Sequence, residues 1–162
     1  MAELTNLETK LGEVIGLAMA AQAATEKVET LTDDQALVPQ LKTMREEAAM
    51  AEKRGTELAG SFDGKKTKIV EEARTVKKKG AEMMKTYLDR DADELDGFEF
   101  LTMAEAGEVG HWQVLDELNK KAKNRDIAEL VKVQLAIQKR HLRDVMAASV
   151  SLASKEDPNA PA

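Results

Sequence analysis

Glu105, Glu108 and His111 are the residues whose types and spacing could do chemistry. They sit in the stretch EAGEVGHW, Glu105–Trp112. Phe98, Leu101, Glu105, Glu108, Trp112 and Leu115 step by three and four, so they share one face of a helix. That face is apolar at both ends and carries two glutamates in its middle. A carboxylate that leaves water is costly unless it is paired or bound to a cation. His111 follows Glu108 by three residues, so the two side chains can reach one point beside the helix. Oxygen and imidazole donors in this pattern suit a divalent metal such as iron, manganese or zinc. The alternative is a buried polar cluster, paired with histidine or arginine, that fixes helix register.

A second helix repeats the pattern. Val131, Leu135, Gln138, Leu142 and Val145 share a face with Gln138 at its centre, and His141 follows Gln138 by three. Folding the two helices back about residues 124–125 sets Glu108 level with His141 and His111 level with Gln138. The only two histidines of the chain would then meet one glutamate and one glutamine. The candidate metal residues are therefore Glu105, Glu108, His111 and His141, with Gln138 behind them. No catalytic or organic-cofactor residue stands out, since no glycine-rich phosphate loop or nucleophile elbow occurs.

Five amphipathic stretches must position these residues. The first is expected over residues 4–31, with Leu4, Leu7, Leu11, Val14, Ala18, Ala21, Thr25 and Val28 on one stripe. Thr32 and Gln35 fit a capping box that would open the second, running to about Ser61. Its stripe is Leu37, Leu41, Met44, Ala48, Ala51 and Leu58, with Glu46 and Glu47 at the margin. Phe62-Asp-Gly64 is a break. The third spans about Lys65 to Leu88, and the bulk of Met83 and Tyr87 predicts that its C-terminal end packs inward. Lys77, Lys78 and Lys79 should face water. Asp91 with Glu94 resembles the cap of the fourth helix, which runs to about Lys121. Asp126 with Glu129 resembles the cap of the fifth, which runs to about Ala153. A short polar tail, residues 155–162, is expected to be disordered.

Composition agrees with helices. Aromatic residues are only 3% of the 162, too few for an ordinary sheet, while a third of the chain is charged. The net charge of −6 argues against general nucleic-acid binding, which needs a basic face. There is no cysteine, hence no disulfide, thiolate nucleophile or cysteine-held zinc. No stretch reads as a membrane span or a signal peptide, so the cytoplasm is the default expectation.

The segment from Glu105 onward resembles the C-terminal hairpin of the ferritin-like superfamily, and most of all the small bacterial YciE/YciF family. Glu105-Ala-Gly-Glu108-Val-Gly-His111-Trp112-Gln-Val-Leu115 matches that family's two glutamates, aromatic and leucine. Ala128-Glu-Leu-Val131 and Leu135 match the start of the next helix, and Lys68-Ile-Val-Glu-Glu-Ala73 resembles the crossover helix. The likeness covers roughly residues 65–146. It implies an all-α, ferritin-like antiparallel four-helix bundle of helices 1, 2, 4 and 5, with helix 3 as the crossover, in one domain over 1–154. It also implies a stress-associated protein that binds iron or another divalent metal, and a homodimer or higher homo-oligomer with neither nucleic acid nor membrane as partner.

The chain departs from the family's pattern in two places. A complete ferritin-type site draws carboxylates and Glu-x-x-His motifs from two helix pairs, and the first pair here has no Glu-x-x-His. The acidic position after the family's loop is Gln138. Half a site, a single metal, or a metal-free hydrogen-bonded remnant on an interaction scaffold all fit the sequence. Phe98, Leu101, Trp112, Leu115, Leu135, Leu142 and Val145 are expected to be buried.

Overall fold

The computed structural model describes residues 3–161; Met1, Ala2 and the final Ala162 lie outside the described residues. Five helices follow one another: α1 (Asn6–Leu31), α2 (Val38–Ala59), α3 (Lys66–Tyr87), α4 (Glu94–Ala122) and α5 (Arg125–Ala153). The structure is 81% helical and all-α, with no strand among the described residues. No helix of the described residues is long and apolar enough to cross a membrane.

The helix ends differ from the expected caps, and each difference has a local cause. Thr5 caps α1 in a reciprocal box with Glu8. Thr32 does not open α2. Its hydroxyl donates to the Val28 carbonyl at 2.7 Å and so finishes α1. The chain then turns, and α2 starts at Val38 with Pro39 in its first turn and no side-chain cap. The backbone N–H groups of Asp33 and Asp34, free because no box forms, both donate to the Glu94 carboxylate. With Glu94 used there, α4 is capped instead by Asp93 and Asp96. Asn124, not Asp126, caps α5, accepting from the Ile127 N–H at 3.0 Å. Lys123 enters the left-handed region at φ 57° to close α4. Buried Asn119 clamps this joint, donating to the Asn124 carbonyl and accepting from its N–H.

Contacts between helices fix their directions. Arg45 pairs with Glu29 and Gln22 with Glu52, so α1 and α2 are antiparallel. His111 meets Glu13 while Gly97 meets Val28, so α4 is antiparallel to α1. The α4–α5 hairpin places Gln138 on Glu108, and Arg140 of α5 reaches Glu47 of α2. Helix α3 runs parallel to α1 and very close to it. A Cβ on Gly12 would lie 2.8 Å from the Ile69 carbonyl oxygen, and one on Gly16 would lie 2.3 Å from that of Ala73. Only glycine permits that approach of two backbones.

The expectation for α3 holds in part. Its buried residues within the helix are Ile69 and Ala73, near its N-terminus, where the glycines of α1 admit its backbone. Its C-terminal end does pack on the bundle, but through Met84 and the capping Leu88, while Met83 and Tyr87 remain 47% and 56% exposed. Lys77, Lys78 and Lys79 are exposed, as expected.

Two apolar clusters form the core. One gathers Leu11, Ile15, Ile69, Trp112, Leu115 and Ile127; the other gathers Val28, Leu41, Met44, Phe98, Leu101 and Val145. Phe98, Leu101, Trp112, Leu115 and Val145 are thus buried as expected. Leu135 and Leu142 are only half-buried, because α5 is rotated by about one position. Gln134, Gln138 and His141 take the inward face in their place.

Candidate functional site

A polar layer lies between the two apolar clusters. Glu105 and Glu108 of α4 and Gln134, Gln138 and His141 of α5 are each no more than 2% exposed. Ala18, Ala21, Ala48 and Ala51 are the buried alanines of α1 and α2 outside both clusters.

Some of these buried polar groups meet a specific partner and others do not. Gln138 Nε2 donates to Glu108 Oε2 at 2.8 Å. His141 Nε2 lies 2.5 Å from Glu47 Oε2, and its Nδ1 lies 3.5 Å from Glu105 Oε2. The first is a full hydrogen bond; the second is an ionic contact too long to be one, which leaves Glu105 Oε2 with no hydrogen-bond partner among the described residues. Gln138 Oε1 and Gln134 Oε1 are likewise buried without one. Arg140 Nη2 holds the other oxygen of Glu47 at 2.7 Å. A chain of charge thus runs from half-buried Arg140 through Glu47 and His141 to Glu105.

The electrostatics follow from burial and neighbours. Burial, and then the charge of Glu105, push the Glu108 carboxyl well above the usual glutamate range, which favours its protonated form. Burial alone would push the His141 imidazole down, but Glu105 and Glu47 together outweigh it and raise it. For Glu47 burial acts upward, and hydrogen bonds from Arg140 and His141 bring the carboxyl below its ordinary value.

Of the five residues singled out in the sequence, the structure brings together four. Glu105, Glu108, Gln138 and His141 share the layer, though His141 faces Glu105 and Gln138 faces Glu108, a pairing displaced from the expected one. His111 does not join them. Its Nδ1 turns toward α1, 3.2 Å from Glu13 Oε2 and 3.3 Å from Lys10 Nζ, and its side chain is 40% exposed. Among the described residues, no three or more His, Cys, Asp or Glu side chains are grouped so as to hold a metal ion.

Sequence reasoning missed Glu47 and Gln134. Glu47 precedes stripe residue Ala48 and sits at the margin of α2. The signal for it lies on the other helix, where Arg140 and His141 are adjacent and can bracket a single carboxylate. Gln134 lies one turn before Gln138, and the choice of Leu135 for the stripe concealed it.

Compared with known proteins, the chain matches no family model, no curated protein and no solved structure.

Proposed function

We propose that this chain is a ferritin-like four-helix bundle of the small bacterial YciE/YciF kind, with a metal-free, hydrogen-bonded core and a non-catalytic, stress-associated interaction role. The antiparallel sense of α1 to α2, α2 to α5, α5 to α4 and α4 to α1, with α3 spanning the length between α2 and α4, supports the fold part of the reading. The observation that carries the functional part is how the candidate ligands are engaged. The Gln138 amide donates to Glu108, and the Nε2 of His141 is bound to Glu47. One oxygen of Glu108 and one ring nitrogen of His141 are thereby spent inside the protein. A di-metal bundle also takes carboxylates from both helix pairs; here the first pair brings Glu47 of α2 to His141, while Glu13 of α1 goes to the outlying His111. Buried polar clusters of this type set helix register in some proteins. Exposed Met146 and Val150 on α5, 46% and 71% accessible, give an apolar face for a homodimer.

A second reading rests on one observation. Glu105 Oε2 and Gln138 Oε1 are buried acceptors without donors, and such atoms call for a water or an ion. A single divalent ion would supply the positive charge if Glu105, Glu108 and His141 drew together around it, since they are not grouped for a metal in this structure. Metal analysis after chelation and refilling with iron(II), manganese(II) or zinc(II) separates the two. Trace binding supports the hydrogen-bonded core. One equivalent, lost in His141→Ala, replaces it with the single-ion site. Light scattering tests the dimer.

A further inference from the structure

Most glycines of this chain are explained by packing. Gly12, Gly16, Gly55, Gly80 and Gly97 would each place a Cβ at 3.0 Å or less from a neighbouring atom. Gly107 and Gly110 are different: a Cβ at either would meet nothing within 4 Å, although glycine in mid-helix costs about 1 kcal/mol against alanine, and of the two it is Gly107 that lines a cleft. The space beside it is a cleft of about 210 Å³ between α1, α3 and α4, walled by Ala20, Gly80, Ala104 and Gly107. Its remaining walls include Phe100, Met83 and Met103, and both methionines are partly exposed. Its polar end is formed by Glu108 and His111. Glu108 is 2% exposed and spends only Oε2 on Gln138; its Oε1 has no hydrogen-bond partner among the described residues.

We infer that this cleft binds a small uncharged aromatic alcohol, its ring against Phe100, Met83 and Met103 and its hydroxyl on the free oxygen of Glu108. Size, lining and charge each narrow the ligand. An engineered apolar cavity of about 150 Å³ holds benzene, so this one takes a single ring with one or two further atoms. Methionine sulfur and an aromatic edge favour an aromatic over an aliphatic guest. A carboxylate guest would face the Glu108 carboxyl, and a cation would give up its water against walls that are otherwise almost wholly apolar. What remains is a hydroxyl, which donates to and accepts from a carboxyl group. The inference does not depend on the ferritin-like reading, since it uses only the wall of α1, α3 and α4.

The test is titration of the full chain with p-cresol, toluene and benzylammonium at pH 7, followed by amide NMR. We expect saturable p-cresol binding about tenfold tighter than toluene, the worth of about one hydrogen bond, with shifts centred on the Gly80 and Gly107 amides. Ala104→Leu combined with Gly107→Leu should abolish binding of both without lowering the melting temperature. Glu108→Met should retain toluene and bring the two affinities within about twofold. Absence of saturable binding, shifts centred elsewhere, or undiminished binding in the filled double variant overturns the site. Tighter binding of benzylammonium than of p-cresol overturns the assignment of an uncharged alcohol. If Glu108→Met fails to fold, the wild-type preference for p-cresol over toluene decides the head-group by itself.

Discussion

Glu108→Gln should make this protein more stable at neutral pH. In the folded chain burial and the neighbouring charge of Glu105 raise the Glu108 carboxyl and favour its protonated form. In the unfolded chain it ionises like any glutamate. The folded state therefore holds a proton that the unfolded state releases, and stability falls as pH rises above the ordinary glutamate range. Protonating an ordinary glutamate at pH 7 costs about 3.7 kcal/mol, which is the ceiling on this burden. Glutamine keeps the shape, carries no charge, and can accept the same hydrogen bond from Gln138 Nε2. Allowing for imperfect repacking, we expect a gain of about 1–3 kcal/mol at pH 7, or roughly 3–10 °C in melting temperature for a chain of this size. The gain should vanish by about pH 3.5, where both states hold the proton. Urea unfolding followed by circular dichroism at several pH values measures it. A loss of stability at pH 7, or a gain equally large at pH 3.5, would refute the reasoning.

Other outcomes follow from neighbouring features. His141 is raised in the fold, so its contribution is complete below its ordinary value of 6.5 and is lost as pH rises through the folded value. Glu47 is lowered, so its contribution holds above its ordinary 4.5 and is lost as pH falls through the folded value. Denaturation midpoints should accordingly peak between these two values, and His141→Asn should flatten the alkaline side of the profile. Gly16→Ala should cost about 2 kcal/mol or more, because its Cβ would lie 2.3 Å from a backbone oxygen that moves only if α3 slides; an unchanged urea midpoint would show that α3 is not docked there. Neutralising Lys77, Lys78 and Lys79 together should change stability by no more than about 0.5 kcal/mol, read from the same transition.

Helix number, length and order were legible in the sequence because the apolar stripes are long and regular. The caps were less so. Acidic and hydroxyl side chains abound at every junction, and which of them bonds the backbone depends on tertiary partners. Glu94 shows this: its sequence neighbours suggest a local cap, yet α1 and α2 meet beside it and take its carboxylate. The site was half legible. Two glutamates on an apolar stripe revealed themselves, and Glu105, Glu108, Gln138 and His141 do come together. His111 did not follow, since a spacing of three places a residue near a face without fixing the side on which its ring turns. Glu13 and Lys10 of α1 settle that, and no periodicity within α4 could disclose them. Glu47 escaped for the same reason, as its role exists only once α5 lies beside α2.

The close parallel contact of α1 with α3 has a bearing on the order in which the chain acquires structure. Gly12 and Gly16 weaken α1 as an isolated helix, and the surface they are shaped for, around Ile69 and Ala73, is made 57 residues later. Helix α2 alone can give the first helix only one of its three neighbours. By contrast α4 and α5 are joined by two residues and meet through contacts of short sequence separation, the kind that forms fastest. The earliest made of these five helices is thus among the last to become secure. A chain halted before α3 would present a glycine- and alanine-rich face to the solvent and to whatever binds nascent chains.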